Sequence, residues 1–174
     1  IDMTLMPPSK NIVSIAVEAS QANEGAEFGQ LVAALTAVEN DGSTDALVTI
    51  LSGDGPFTVF APTDAAFQSL YSSAGVTDFA ALVETVGIAT IETVLKYHGL
   101  GARVFSSDIQ NALYVYSSVS LNSVAESPLT LNIDLTISDS VADLNIGTED
   151  DSIFVTDIFA TNGVIHVIYE VILP

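Results

Sequence analysis

Two histidines and several paired carboxylates are the residues of this chain that could support catalysis or metal binding. His98 and His166 are the only imidazoles among 174 residues, and cysteine is absent, which removes thiolate nucleophiles, thiolate metal sites and disulfides. The sequence contains none of the motifs G-x-S-x-G, H-E-x-x-H, G-x-x-x-x-G-K or G-x-G-x-x-G. A Ser-His-Asp triad is defined by geometry, so the many serines and aspartates keep it an open alternative.

Metal binding has two possible sources in the sequence. The two imidazoles alone leave a zinc site short of ligands. Two acidic loops are rich in the oxygen ligands that calcium prefers, and they carry Glu39, Asp41 and Asp45, and Glu149, Asp150 and Asp151. Neither loop has EF-hand spacing, and short charge runs are more often solvated surface. We therefore expect no metal and no cofactor, with calcium in these loops the alternative.

The charge balance excludes other classes of function. Twenty-two acidic and 3 basic residues give a formal charge of −19, while 49% of the chain is hydrophobic and its mean hydropathy is +0.50. Disordered acidic chains combine high charge with low hydrophobicity, so this chain should fold. Its charge repels nucleic acid and anionic lipid, which excludes them as partners. An acidic surface poor in lysine suits salty media and predicts an extracellular, bacterial setting.

The predicted secondary structure that positions these residues changes from helices to strands midway along the chain. Residues 1–10 look like a linker, and residues 11–174 look like one domain whose first half has helical periodicity. The first helical pattern follows Ser9, which is a predicted N-cap. The last one runs to His98, and Gly99 is predicted to end it. The helical patterns cover Ile12–Ala19, Phe28–Val38, a helix carrying Phe67 and Leu70, Phe79–Val86 and Ile91–His98, with a β-rich run at Phe57–Ala61.

Strand patterns dominate the second half. Leu129–Ile137 alternates strictly between apolar and polar residues, as expected of a strand with one buried face. Further strand-like runs are Ala112–Val119, Ile153–Phe159 and Val164–Leu173. Helices followed by strands predict an α+β domain with a mostly antiparallel sheet. No run is long and apolar enough for a transmembrane helix. Because Ile1 is not an initiator Met, we expect a processed piece of a longer chain, with any signal peptide or anchor upstream.

Three segments in order resemble the fasciclin-like domain family of extracellular adhesion modules. They are GPFTVFAPTDAAF (Gly55–Phe67), VLKYH (Val94–His98) and NGVIHVIYEVILP (Asn162–Pro174). The resemblance implies a wedge of two small β-sheets with helices packed on one side, and it implies that Tyr97-His98 is the adhesion motif. The chain departs from the family after that motif, where GLGAR replaces the usual Pro-Gly turn, and in the longer acidic loop Glu39–Asp45.

Within these segments, most motif residues have a structural interpretation. Thr63 or Asp64 can cap the helix that follows Pro62. His98 lies on an apolar helix face, so we expect a packed ring bonded to a carbonyl or carboxylate, with Tyr97 and its exposed neighbours forming any binding surface.

The last segment adds two further interpretations. Asn162-Gly163 is predicted to turn the chain into the last strand, with Gly163 supplying a backbone angle that other residues resist. In that strand His166 shares a face with Glu170, but four residues of strand, about 13 Å, separate them too far for a direct pair.

These observations favour a secreted or surface-displayed, noncatalytic binding module. Its predicted partner is a cell-surface or matrix protein or polysaccharide, reached without membrane insertion, and tandem copies in a longer chain fit the resemblance. The alternative is a carbohydrate-active or other hydrolytic enzyme on the same scaffold. The absence of Trp and an aromatic content of 7% weaken that alternative, because glycosidase clefts usually carry sugar-stacking aromatics.

Overall fold

A computed structural model describes residues 8–21, 28–42, 47–108, 118–122, 128–132, 153–169, 171 and 173. Helices fill the first half of the chain and strands the second, as the periodicities predict. In chain order the elements are α1 (Ile12–Ser20), α2 (Gly29–Asn40), α3 (Leu47–Ser52), β1 (Phe57–Pro62), α4 (Asp64–Ala74), α5 (Phe79–Val86), α6 (Ile88–Tyr97), β2 (Gly99–Leu100), β3 (Ser118–Asn122), β4 (Pro128–Asn132), β5 (Ile153–Ala160) and β6 (Gly163–Ile168).

The strands form two small sheets. The larger sheet has the order β2-β1-β6-β5, and the smaller is the antiparallel pair β3-β4. At the centre of the larger sheet β1 and β6 run parallel, with Phe60 opposite His166, while β2 and β5 pair antiparallel at its sides. The α+β class and the two mostly antiparallel sheets are therefore confirmed. The rest of the predicted strand Leu129–Ile137 and most of Ala112–Val119 lie outside the described residues.

The larger sheet is buried on both faces at its centre. Val59, Ala61, Ile165 and Val167 alternate along β1 and β6 and join the apolar core beneath the helices. That core also takes Phe28, Leu31, Leu35, Phe67, Leu82, Ile91 and Leu95 from the helices. The opposite face carries Thr58, Phe60 and His166, which are buried as well. None of the described helices is long and apolar enough to cross a bilayer.

Two predicted helix ends are wrong by one or two residues. Asn11, not Ser9, caps α1, because its side chain accepts from the Ser14 N–H at 2.8 Å. Gly99 does not terminate α6; it begins β2, and His98 is the C-cap residue. In both cases the cap geometry is fixed by which side chain reaches the free backbone groups, which spacing alone does not specify.

The Asn162-Gly163 step is a turn into β6, as predicted, but the reason for glycine differs. Gly163 does not have a positive φ. A Cβ there would instead overlap the carbonyl oxygen of Phe57 and lie 2.8 Å from Cδ1 of Ile12. Glycine is required because the β1 backbone and α1 approach it closely. Gly55, at φ 74°, is the glycine in this junction that needs the left-handed region.

Candidate functional site

Asn162 fastens three elements together. Its Oδ1 accepts from the N–H of Ile12 at 3.0 Å, and its Nδ2 donates to the carbonyl oxygens of Leu51 at 2.6 Å and Gly53 at 2.8 Å. Its own carbonyl accepts from the N–H of Phe57 at 2.9 Å. The buried Asn162 thus bonds the start of α1 and the end of α3 through its side chain, and the start of β1 through its main-chain carbonyl. Its position and bonds are those of a structural residue.

Thr63 and Asp64 serve two different helices. The Thr63 hydroxyl accepts from the N–H of Ala66 at 3.2 Å and caps α4. Asp64 reaches back 34 residues to accept from the N–H of Gln30 at 2.7 Å, in the first turn of α2. The Gln30 side chain in turn accepts from the Tyr71 hydroxyl at 2.7 Å. Burial, with the charges of Asp64 and Asp78 second, raises the pKa of Tyr71 to about 12.

Tyr97 and His98 are both buried, with 8% and 2% of their surface exposed. His98 Nδ1 lies 2.7 Å from the Val94 carbonyl, which only accepts, so the neutral ring carries its proton on Nδ1. Burial lowers the pKa of His98 to about 4, although this hydrogen bond opposes the shift. The prediction of a packed histidine bonded to a carbonyl agrees with this geometry. The prediction that Tyr97 lies on an exposed surface is wrong, because its ring packs inward at the end of α6.

His166 is fully buried in β6 and bonds main chain on both ring nitrogens. Nε2 donates to the Val104 carbonyl at 2.8 Å, and Nδ1 accepts from the N–H of Asp157 at 3.3 Å. Its ring stacks on Phe60 with centroids 5.5 Å apart. Burial lowers the pKa of His166, and the bond to Val104 and the charge of Asp157 oppose that shift. The ring is a neutral bridge between β5 and the segment that follows β2.

That segment, residues 101–106, is held against the sheet by side chains from three strands. The Thr58 hydroxyl donates to the Ala102 carbonyl at 2.7 Å and accepts from the Val104 N–H at 2.8 Å. Asp157 accepts from the Ser106 N–H at 2.8 Å and from the Ser106 hydroxyl. Together with His166 these bonds form a clamp, which we call the 101–106 clamp. Asp157 takes φ 58° at a register irregularity of β5, which aims its carboxylate at Ser106.

The clamp contains a serine, an aspartate and a histidine, but their bonding differs from that of a catalytic triad. In a triad, the histidine ring accepts from the serine hydroxyl and donates to the carboxylate. Here Ser106 donates to Asp157, and both nitrogens of His166 bond main chain. Among the described residues no group of three or more His, Asp or Glu could hold a metal ion. The acidic residues 149–151 and Asp45 lie outside the described residues.

The predicted motif residues do not form one cluster. Thr63 and Asp64 lie between α2 and α4, and Asn162 lies at the α1-β1 junction. The two histidines are linked through Phe60, whose N–H donates to the His98 carbonyl at 2.9 Å and whose ring stacks on His166. The motif residues therefore bond neighbouring helices and strands to one another, mainly through main-chain groups.

Sequence reasoning missed Thr58, Ser106 and Asp157. One signal was available: Asp157 interrupts the apolar strand run Ile153–Phe159, and a carboxylate in such a run implies a bulge or a buried partner. Thr58 and Ser106 carried no signal, because a hydroxyl on a strand or loop is usually solvated.

Exposed apolar groups lie elsewhere on the surface. Phe159 of β5 is 59% exposed, and its ring meets that of half-buried Phe105 with centroids 5.9 Å apart. We call these two rings the aromatic pair. Phe105 directly precedes Ser106, so the clamp fixes its position. Arg103, two residues before Phe105, is exposed on the same segment.

These features define an α+β fold that is held together by its motif residues. A model of the fasciclin domain matches residues 27–174. The chain is 34% identical to protein sll1483 of Synechocystis over 91% of this chain and 72% of that protein, and 35% identical to the uncharacterized protein sll1735 of Synechocystis over 94% and 97%. It is also 29% identical to human stabilin-1 over 80% of this chain, which is 5% of stabilin-1. The chain belongs to the fasciclin domain family.

A solved structure shows the same fold. The FAS1 domain pair from the insect cell adhesion molecule fasciclin I superposes with a TM-score of 0.58 at 20% identity, covering 83% of this chain and 45% of that one. At this identity the likeness establishes the fold. Fasciclin domains occur in cell adhesion proteins, so an adhesion-type module is the class of function that the family supports.

Proposed function

We propose that this chain is a noncatalytic, extracellular adhesion module, and that residues 11–174 act as one domain. One observation carries the proposal: the motif side chains bond the protein's own main chain, while Phe159 is exposed on β5, at the edge of the larger sheet, beside half-buried Phe105. A hydrolase of the Ser-His-Asp type needs a histidine free to accept a proton from the serine. His166 has no such freedom, since both its nitrogens bond main chain.

The aromatic pair and Arg103 are the proposed contact face. Aromatic rings and arginine are enriched at the centres of protein interfaces, where they lose water with little entropy cost. Phe105 and Phe159 have no hydroxyl or indole N–H with which to orient a sugar, which favours a protein over a polysaccharide. Tyr97 and His98, buried at the end of α6, then act indirectly by holding β2 and the residues that follow it.

The first testable prediction concerns this face. Beads coated with the whole chain are tested for adhesion to surfaces of collagen, fibronectin or immobilised glycans. Phe159→Ser should lower adhesion to a protein surface at least 10-fold without changing the melting temperature, because the ring is mostly exposed. Val86→Ser, which removes an exposed apolar side chain from α5, is the control and should adhere as the unaltered chain does.

Two results would overturn the proposal. One is adhesion that Phe159→Ser leaves intact on every surface that binds the unaltered chain. The other is turnover of ester or glycoside substrates that Ser106→Ala abolishes, which would establish the hydrolytic alternative. Loss of binding only on the glycan surface would show that the partner is a polysaccharide.

A further inference from the structure

A cleft of about 280 Å³ lies between α4, α5 and α6, on a different part of the surface from the aromatic pair. Helix side chains form its walls, and Val171 and Leu173 close one side. The lining residues are Pro62, Phe67, Leu70, Ser73, Ala74, Leu82, Val86, Thr90, Ile91, Val94, Leu95, His98, Val171 and Leu173. Val86 and Leu173 are 38% and 60% exposed, so apolar side chains also form its mouth.

None of the described residues that line this cleft is acidic, although 22 of the 174 residues of the chain are. Its polar side chains are those of Ser73, Thr90 and His98. Thr90 donates its hydroxyl proton to the Val86 carbonyl at 2.7 Å, and His98 donates from Nδ1 to Val94. Both protons therefore bond the protein's own main chain. Within the described part of the lining, a charged ligand would find no counter-charge.

The cleft is much larger than a void beneath α1, α2 and α3 against the sheet, which measures about 30 Å³, space for about one water molecule. Packing in that part of the core is therefore close. A dry apolar cavity of about 150 Å³ binds benzene in an engineered protein, so nearly twice that volume suits a larger hydrocarbon.

We propose that this cleft binds an uncharged aliphatic molecule of roughly ten carbon atoms, such as a medium-chain alcohol. Burying its methylenes removes apolar surface from water, which favours the complex against the cost of association. The chain's formal charge of −19 disfavours the carboxylate form of a fatty acid of equal length. This site is independent of the proposed adhesion face and extends the protein's function beyond it.

The second prediction tests the cleft with a neutral fluorescent probe, N-phenyl-1-naphthylamine. We expect saturable binding to the whole chain, displaced by 1-decanol at a concentration at least 10-fold lower than by decanoate at pH 8. Ser73→Phe should weaken probe binding at least 10-fold, because Ser73 is exposed at the cleft and the larger ring fills it. Ser72→Phe is the matched control: Ser72 is exposed, adjacent on α4 and absent from the lining.

Circular dichroism melting should show that both variants fold, since exposed positions near the end of α4 should tolerate a phenylalanine ring. The proposal is overturned if a folded Ser73→Phe chain binds the probe as well as the unaltered chain does. It is also overturned by an absence of saturable binding, or by equal displacement by decanol and decanoate. Probe binding lost in Phe159→Ser but not in Ser73→Phe would place the probe on the aromatic pair and reject the cleft.

Discussion

The Nδ1 bond of His98 and the ring bonds of His166 differ in how far they reach along the chain. His98 bonds a carbonyl four residues away and closes the end of its own helix. His166 bonds a carbonyl 62 residues away and a backbone N–H in the neighbouring strand. Both rings are buried and neutral. The comparison shows that one residue type serves as a local helix cap in one place and as a tertiary bridge in the other.

The largest expected effect comes from removing the His166 ring, which bridges β5 and residues 101–106. His166→Ala leaves the Val104 carbonyl and the Asp157 N–H without their partner and opens a cavity beside Phe60. We expect the free energy of unfolding to fall by about 4 kcal/mol, measured by urea denaturation. Hydrogen exchange should speed up at the amides of Val104 and Ser106, since these belong to the clamp.

His98→Ala is the matched control for that change. It should cost about 2 kcal/mol and leave exchange at Val104 and Ser106 unchanged, because the Nδ1 bond to Val94 that it removes lies at the end of α6, away from the clamp. Equal acceleration of clamp exchange in both variants would show that His98 and His166 act as one unit, and the distinction between local and bridging roles would be lost.

Acid pH gives the next largest effect. Burial lowers the pKa of His98 to about 4, whereas a histidine in the unfolded chain titrates near 6.5. The unfolded state therefore takes up a proton first as pH falls. The stability that depends on a neutral His98 is complete above about pH 6.5 and is lost towards pH 4, by on the order of 3 kcal/mol. His166, whose pKa burial also lowers, acts in the same direction.

Urea denaturation between pH 7.5 and 4.5 checks this prediction. His98→Asn should reduce the slope of unfolding free energy against pH, because asparagine does not titrate, while His166 and the carboxylates still contribute. A slope that His98→Asn leaves unaltered would mean that His98 does not stay neutral in the folded state below pH 6.5.

The smallest expected effect concerns the Ser106 hydroxyl, one of the groups that form the 101–106 clamp. Ser106→Ala removes the hydroxyl bond to Asp157 but keeps the Ser106 N–H bond to the same carboxylate. We expect a loss of about 1 kcal/mol, or about 3 °C in melting temperature by differential scanning calorimetry. Thr85→Ala on α5 is the control, since its hydroxyl bonds only within its own exposed helix. If the free energy of unfolding fell as much as in His166→Ala, Ser106 rather than His166 would contribute most to holding residues 101–106 against the sheet.

The sequence predicted local features well. Periodicity located the helices that carry Leu31, Phe67 and Leu95, and Thr63 was identified as a possible cap because the N-cap interaction spans three residues. These features depend on neighbours along the chain. The three motif segments identified the fold because they carry the residues at which the elements meet.

Features that depend on tertiary contact could not be predicted. Asp64 bonds the first turn of α2, while Thr63 caps α4, because folding brings the start of α2 beside Asp64. Gly163 is required by the approach of Phe57 and Ile12, which are distant in sequence. In each case the decisive partner lies tens of residues away, where spacing rules carry no information.

The parallel pairing of β1 with β6 has a consequence for biosynthesis. Phe57 pairs with Gly163, 106 residues later, so the central sheet has to wait for a strand that the ribosome makes near the end of the described chain. At about 5 to 20 residues per second, β1 waits on the order of 5 to 20 s for its partner. Meanwhile the apolar face of β1 has only the helices to cover it. Contacts so distant in sequence also slow folding, so this chain should depend on its helical half, or on a chaperone, to protect β1 until synthesis is complete.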